Sequence, residues 1–238
     1  MAVSYNYGQL QAQIAFELGQ RTDLLSIPAG SGLALSPVQQ AIQNAIAKWE
    51  REHFYFNEVE AINTCNTSKG VEFYTATAPA GSPWSFIAAQ IHIDKIWVLI
   101  SNNRYSLNPR TEQYLSDTSL NPSVQGQPID YAYYAETIRL YPIPDGIYPI
   151  TIEGTQRFST LQNSSDSNSW TTDAADLIKA EAKMDLLNNV LKQSDLAQVQ
   201  KNLIYGDPMN PQDQGYIHAL RSEGVQRPAQ LKARAHYF

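Results

Sequence analysis

The chain has 238 residues, enough for one or two domains with a sizeable core, and carries a formal net charge of −6. Apolar residues make up 43% and charged residues only 17%. That argues against disorder by self-repulsion and fits a surface partly covered by other chains. Cys65 is the only cysteine and no apolar run approaches the ~20 residues of a membrane span, so an intrachain disulfide and a spanning helix are excluded.

The N-terminus, MAVSYNYGQLQAQ, has neither a basic start nor an apolar run, so no signal peptide is expected and the chain reads as soluble and made in the cytoplasm. Leu10, Ile14 and Leu18 recur at four-residue spacing and predict a first helix. After a small-residue linker with Gly30, Ser31 and Gly32, Ser36-Pro37 announces a second helix. Ser suits the N-cap, Pro the first helical position, and Gln39 completes a capping box. Val38, Ile42, Ala45, Ile46 and Trp49 form its expected buried face.

From about Phe54 to Phe158 the period changes to two and aromatics accumulate. Val71 to Thr75, Ile91 to Ile100, Arg104 to Leu107 and Tyr131 to Leu140 read as strands, with prolines and Asn/Ser/Gly clusters between them. In Ile138 to Gly154, IRLYPIPDGIYPITIEG, an Asp145-Gly146 pair between apolar runs predicts a hairpin turn. Pro142, Pro144 and Pro149 belong at an edge or at strand ends, because each lacks a backbone donor.

A polar loop, Gln162 to Ser169, leads into a long helix with Thr172 as expected N-cap and Asp173 and Asp176 near its positive end. Leu177, Met184 and Leu191 recur every seven residues, and Ile178, Leu187 and Val190 widen that face. A shorter helix, Leu196 to Tyr205, is broken by Gly206-Asp207-Pro208. Asn210-Pro211 is expected to cap a last helix ended by Gly224. The expected fold is α+β. A helical bundle of residues 1–54 and 170–224 carries an inserted antiparallel β-sandwich or barrel-like domain of residues 55–169, with 225–238 an extended C-terminal tail.

The chemistry sought is mostly absent. His53, His92, His218 and His236 show no metal-ligand spacing, and the Gly-Ser pairs at Gly30-Ser31 and Gly81-Ser82 lack a nucleophile elbow or phosphate-loop lysine. His92 and Asp94 share a strand face, which a wet sheet surface explains as well as acid-base chemistry does. No catalytic residue, cofactor or metal is assigned. The 14 tyrosines and 4 tryptophans leave open an aromatic-rich carbohydrate-binding or tail-fibre-like β module.

Three segments carry a resemblance: Lys48-Trp49-Glu50-Arg51-Glu52-His53-Phe54-Tyr55-Phe56-Asn57-Glu58, Ile138-Arg139-Leu140-Tyr141-Pro142-Ile143-Pro144-Asp145, and Trp170-Thr171-Thr172-Asp173-Ala174-Ala175-Asp176-Leu177-Ile178. In that order the chain, over roughly Leu35 to Glu223, resembles the head-to-tail adaptors of tailed bacteriophages, the tail-tubular or gatekeeper ring family. The resemblance implies a non-enzymatic virion protein forming a homo-oligomeric ring, usually of twelve copies, between the portal protein and the tail nozzle or tail-tube protein. DNA then passes through the ring without sequence-specific binding. It also implies that the C-terminal segment reaches the portal, through Arg227, Lys232 and Arg234 as charges and Leu231, Tyr237 and Phe238 as apolar anchors. That segment contains no acid, which leaves the preceding body more acidic than the whole chain. Such a body suits a channel that must not hold phosphates. Tyr141 and Tyr148 are expected to be free for subunit or tail contacts.

Overall fold

The structure, a computed structural model, describes residues 4–27, 32–77, 83–118, 124–210 and 213–234. The chain forms two compact units, Met1–Asn57 with Phe158–Phe238, and Glu58–Arg157. The linker glycine Gly30 with Ser31, and Pro211 of the expected last cap, lie outside the described residues.

The first unit opens with α1 (Tyr7–Glu17) and α2 (Pro37–Trp49). Both start on reciprocal capping boxes. Asn6 accepts from Gln9 N at 2.8 Å while Gln9 accepts from Asn6 N at 2.9 Å, and Ser36 and Gln39 repeat the arrangement at 3.3 and 3.0 Å. Leu10 and Ile14 of α1 and Val38, Ile42, Ala45 and Trp49 of α2 are buried, as their spacing requires.

The second unit contains β1 (Glu58–Asn66), β2 (Phe73–Tyr74), β3 (Gln90–Ile100), β4 (Asn103–Ser106), β5 (Asn108–Pro109), α3 (Glu112–Thr118), β6 (Gln125–Gly126), β7 (Asp130–Tyr134), β8 (Thr137–Tyr141), β9 (Ile143–Pro144) and β10 (Pro149–Gln156). One sheet has the order β1-β10-β3-β4, the other β2-β8-β7-β5, and β6 pairs with β9. Side chains from both sheets share one core: Cys65, Ile96, Val98, Ile150 and Ile152 from the first, Tyr74, Tyr131, Ile138 and Leu140 from the second. This is a sandwich, antiparallel except for the two short parallel pairs β5-β7 and β6-β9.

Two register shifts shape β3. Pairing with β10 skips Ile91 and Asp94, so Gln90, Ile93 and Ile96 are all buried although they are three apart. Each extra residue resets the two-residue alternation. Gly154 of β10 sits opposite the second bulge, where a Cβ would stand 2.2 Å from the carbonyl oxygen of His92.

The hairpin expected at Asp145-Gly146 is not formed. β8 belongs to one sheet and β10 to the other, and the two are not neighbours. The prolines explain the difference, because Pro142 follows β8, Pro144 ends β9 and Pro149 starts β10, so the ladder stops before a partner strand can return. The β8 hairpin lies upstream instead, β7 pairing with β8 through Ala135 and Glu136 at φ 49° and 56°.

The first unit resumes with α4 (Ser169–Thr172), α5 (Ala175–Asp185), a π-turn at Leu186–Val190, α6 (Ser194–Tyr205) and α7 (Gly215–Arg234). The polar loop belongs to this unit: Ser164 and Asp166 carbonyls accept from Gly8 N and Tyr7 N at 2.8 Å. Asn168 caps α4, accepting from Trp170 N at 3.0 Å, so Thr172 ends that turn rather than capping a longer helix. Asn168 precedes a turn whose amides it can reach; Thr172 already sits inside it. Leu177, Ile178 and Leu187 are buried, but Val190 is 47% exposed. The π-turn, with Leu191 N donating to Leu186 O at 2.9 Å, adds a residue to the turn and rotates the next side chains off the helical period.

The last helix begins at Gly215 and runs through Gly224 to Arg234, which corrects the expected stop and the extended reading of 225–234. A single interior glycine weakens a helix by only about 1 kcal/mol relative to Ala. Gly206 and Gly215, at φ 92° and 67°, make the real break between α6 and α7. A Cβ on Gly215 would lie 2.4 Å from Gly206 N.

Candidate assembly surfaces

Within the helical unit, α2 ends beside α5, α6 and α7. Glu181 of α5, 6% exposed, accepts from Lys48 Nζ at 2.6 Å and from Trp49 Nε1 at 3.2 Å. The Lys48 ammonium also donates to Tyr205 Oη at 3.1 Å and stands 4.8 Å from the Trp49 ring centroid. Burial alone would lower the Lys48 pKa; the hydrogen bonds to Glu181 and Tyr205 outweigh it and raise it above its ordinary value. Beside this pair lies a recess of about 600 Å³ walled by Trp49, Tyr205, Ile217, His218 and Arg221, with Arg221 bonded to Glu52 at 2.8 Å. None of these contacts was anticipated, although Lys48-Trp49 opens one of the segments that carry the resemblance. Glu181 lies 132 residues from Trp49, a separation that helical periodicity does not bridge.

A second charged group ties α1 to α5. Glu17 meets Lys183 at 2.7 Å and Lys179 at 3.2 Å, and Gln13 donates to it at 2.9 Å. In the β unit, the buried Arg139 guanidinium meets Glu72 and Glu112 at 2.6 Å each and donates to Ser116 Oγ at 2.8 Å. It fastens α3 and the segment before β2 onto the outer side of β8. His92 and Asp94 stand 3.4 Å apart, 70% and 49% exposed, across the bulge in β3.

Of the residues singled out for docking, Arg227, Leu231, Lys232 and Arg234 fall on the second half of α7, and Tyr237 and Phe238 lie outside the described residues. Val225 is 77% exposed. Tyr148 is half-buried: its hydroxyl donates to Asp145 at 2.6 Å, and Thr67 brackets its backbone at 2.8 and 2.9 Å. Asp145 is thereby engaged within its own turn. Tyr141 is half-buried, its hydroxyl 3.5 Å from Thr118 O.

One surface was missed entirely. On α6, Ala197 and Ile204 are buried, while Leu196, Val199 and Leu203 are 54%, 53% and 38% exposed. Their i, i+3, i+7 spacing was the available signal.

Among the described residues no three His, Cys, Asp or Glu side chains are grouped to hold a metal ion, and no helix is long and apolar enough to cross a membrane. The charged clusters join one element of a unit to another, so what the molecule presents is a set of packing surfaces on an α+β frame. The chain belongs to the SU10 adaptor protein family, a phage head-tail adaptor family, whose model matches residues 5–205. The match runs from the residue before the α1 cap to the last residue of α6 and leaves α7 outside. No curated protein matches the chain.

Proposed function

We propose that this adaptor is a ring subunit that joins the portal to the tail nozzle or tube and prolongs the DNA channel, with its C-terminal segment docking on the portal. The observation that carries the docking is the course of α7. Helix continues ten residues past Gly224, about 15 Å at 1.5 Å per residue, into a stretch whose only charges are basic. An arm that is already helical loses less conformational entropy on docking than an extended one. Its charges orient the encounter with an acidic portal surface, and Tyr237 and Phe238 add apolar anchorage. The acidic body lets DNA slide past without base-specific contacts. The site of action is the head-tail interface of the virion, assembled from protein made in the host cytoplasm.

The test is electron microscopy of the full-length protein mixed with its portal, beside the variant Arg227→Glu/Lys232→Glu/Arg234→Glu and a chain ending at Gly224. Stacked rings are expected for the natural protein, with attachment at least tenfold weaker for both alterations. Equal attachment by all three would remove the C-terminal arm from the docking.

A further inference from the structure

We infer that α7 is hinged between Gly224 and Pro228, and that the arm beyond is aimed at the portal by bending there; this rests on the docking reading above and names the device that serves it. The contacts described for α7 within its unit lie between Tyr216 and Gly224. Ile217 and Leu220 are buried in the helical core, Tyr216 packs against that core, and Arg221 holds Glu52 at 2.8 Å. Gly224 comes up beside Tyr55, and the next residue, Val225, is 77% exposed. The first half of α7 is therefore fixed to the bundle as far as the glycine.

Other glycines of this chain are forced by close approach. A Cβ on Gly154, Gly206 or Gly215 would stand 2.2, 2.3 or 2.4 Å from a backbone atom. Gly224 is under no such constraint. Its φ lies outside the left-handed region, and its Cβ would meet Tyr55 Cβ at an ordinary 3.6 Å. Neither packing nor backbone conformation requires glycine there, and alanine would make a firmer helix. What glycine adds is backbone freedom.

Pro228 acts on the same peptide group. In a regular α-helix the amide of residue 228 donates to the carbonyl of residue 224. Proline has no N–H, and its ring crowds that carbonyl. The hydrogen bond that proline deletes is the one that would have closed over the glycine. Sharp helix bends fall at proline and glycine, and hinges are short segments at the ends of packed elements. Lys232 and Arg234 lie beyond this turn, so bending redirects their charge while the first half of α7 keeps its packing. A bend of about 30° displaces the end of an arm about 15 Å long by about 8 Å.

The experiment places spin labels on full-length protein at Gln198→Cys in α6 and Ala233→Cys in the arm, leaving the buried Cys65 in place. Label distances are measured with and without the portal, in the natural background and in Gly224→Ala/Pro228→Ala. Circular dichroism and thermal melts run in parallel, and the variant should match or slightly exceed the natural protein in both. Free natural protein should give a broad distance distribution that the double variant narrows by about half, each single change narrowing it less. Portal should collapse the natural distribution to one distance, while the stiffened variant attaches about tenfold more weakly. A natural distribution as narrow as that of the double variant would overturn the hinge, whatever the portal does. Equal attachment by the stiffened variant would overturn its use in docking. A broad distribution that narrows in the variant, with no portal attachment by either, would overturn the docking reading and uphold the hinge.

Discussion

Lys48 on α2 and Glu181 on α5 meet at 2.6 Å with unequal burial: the Glu181 side chain is 8% exposed, the Lys48 side chain 42%. Removing the lysine strands a buried carboxylate, whose remaining described partner is the Trp49 indole at 3.2 Å. Lys48→Ala should lower unfolding stability by about 2 kcal/mol, less than the roughly 3–5 of a fully buried pair because water reaches the ammonium. Lys48→Ala/Glu181→Ala should cost less than the two single changes summed. A denaturant double-mutant cycle measures this, and strict additivity would mean the pair is not coupled.

Acid should loosen the α1–α5 contact in a defined window. Partial burial pushes the Glu17 carboxyl upward, but hydrogen bonds from Lys183 and Gln13 and the Lys183 charge outweigh it and hold it at about 2, against an ordinary 4.5. A depressed carboxylate contributes stability that is complete above the unfolded value and lost as pH falls through the folded one. The Tm difference between natural protein and Glu17→Gln should be full at pH 7 and should shrink between about pH 4.5 and pH 2. A difference that stays constant through that window would show that the Glu17 charge is not what ties the helices.

Gly154 is predicted to be irreplaceable in β10. Gly154→Ala places a Cβ against the His92 backbone carbonyl, which β3 can accommodate only by losing the bulge at Asp94. Destabilisation should reach at least the roughly 1–3 kcal/mol of overpacking, read from chemical denaturation. Gly224→Ala is the contrast: its Cβ would lie 3.6 Å from Tyr55 Cβ, an ordinary contact inside α7, so stability should be unchanged or slightly raised.

Arg139 should not tolerate lysine. The guanidinium uses Nε for Glu72 and Nη1 for Glu112 and Ser116 while lying 5.2 Å from the Phe73 ring centroid. One ammonium keeps the charge but cannot reproduce that fork. Arg139→Met should destabilise by about 3 kcal/mol, and Arg139→Lys should recover less than half of it, by thermal or urea unfolding. Full rescue by lysine would reduce the site to simple charge.

Both helix starts in the first 57 residues were open to local reading, though only one was recognised from the sequence. Ser36-Pro37-x-Gln39 and Asn6-x-x-Gln9 each hold their own capping partners three residues apart, so nothing distant is needed. The strand-rich middle was legible for the same reason, since a two-residue alternation shows wherever one face is covered. Alternation failed at Gln90, Ile93 and Ile96, because bulges depend on what the opposite strand does. Thr172 looked like a cap only while the Asn168 turn ahead of it was unseen.

The candidate surfaces divide along the same line. The basic C-terminal stretch could be read directly, since charge is a property of composition. That it continues as helix past Gly224 could not, because Gly224 and Pro228 both disfavour a helix interior, by about 1 and about 3 kcal/mol, and read locally as a stop. By itself the sequence determined the caps, the helical stripes, the β-rich centre and the three segments that mark an adaptor. Tertiary structure alone decided that Ile138–Gly154 crosses from one sheet to the other, that Glu181 receives Lys48, and that α6 leaves Leu196 and Val199 half exposed. Each of these depends on residues far apart in the chain, whose pairing is set by which burial and hydrogen-bond partners the whole fold leaves available.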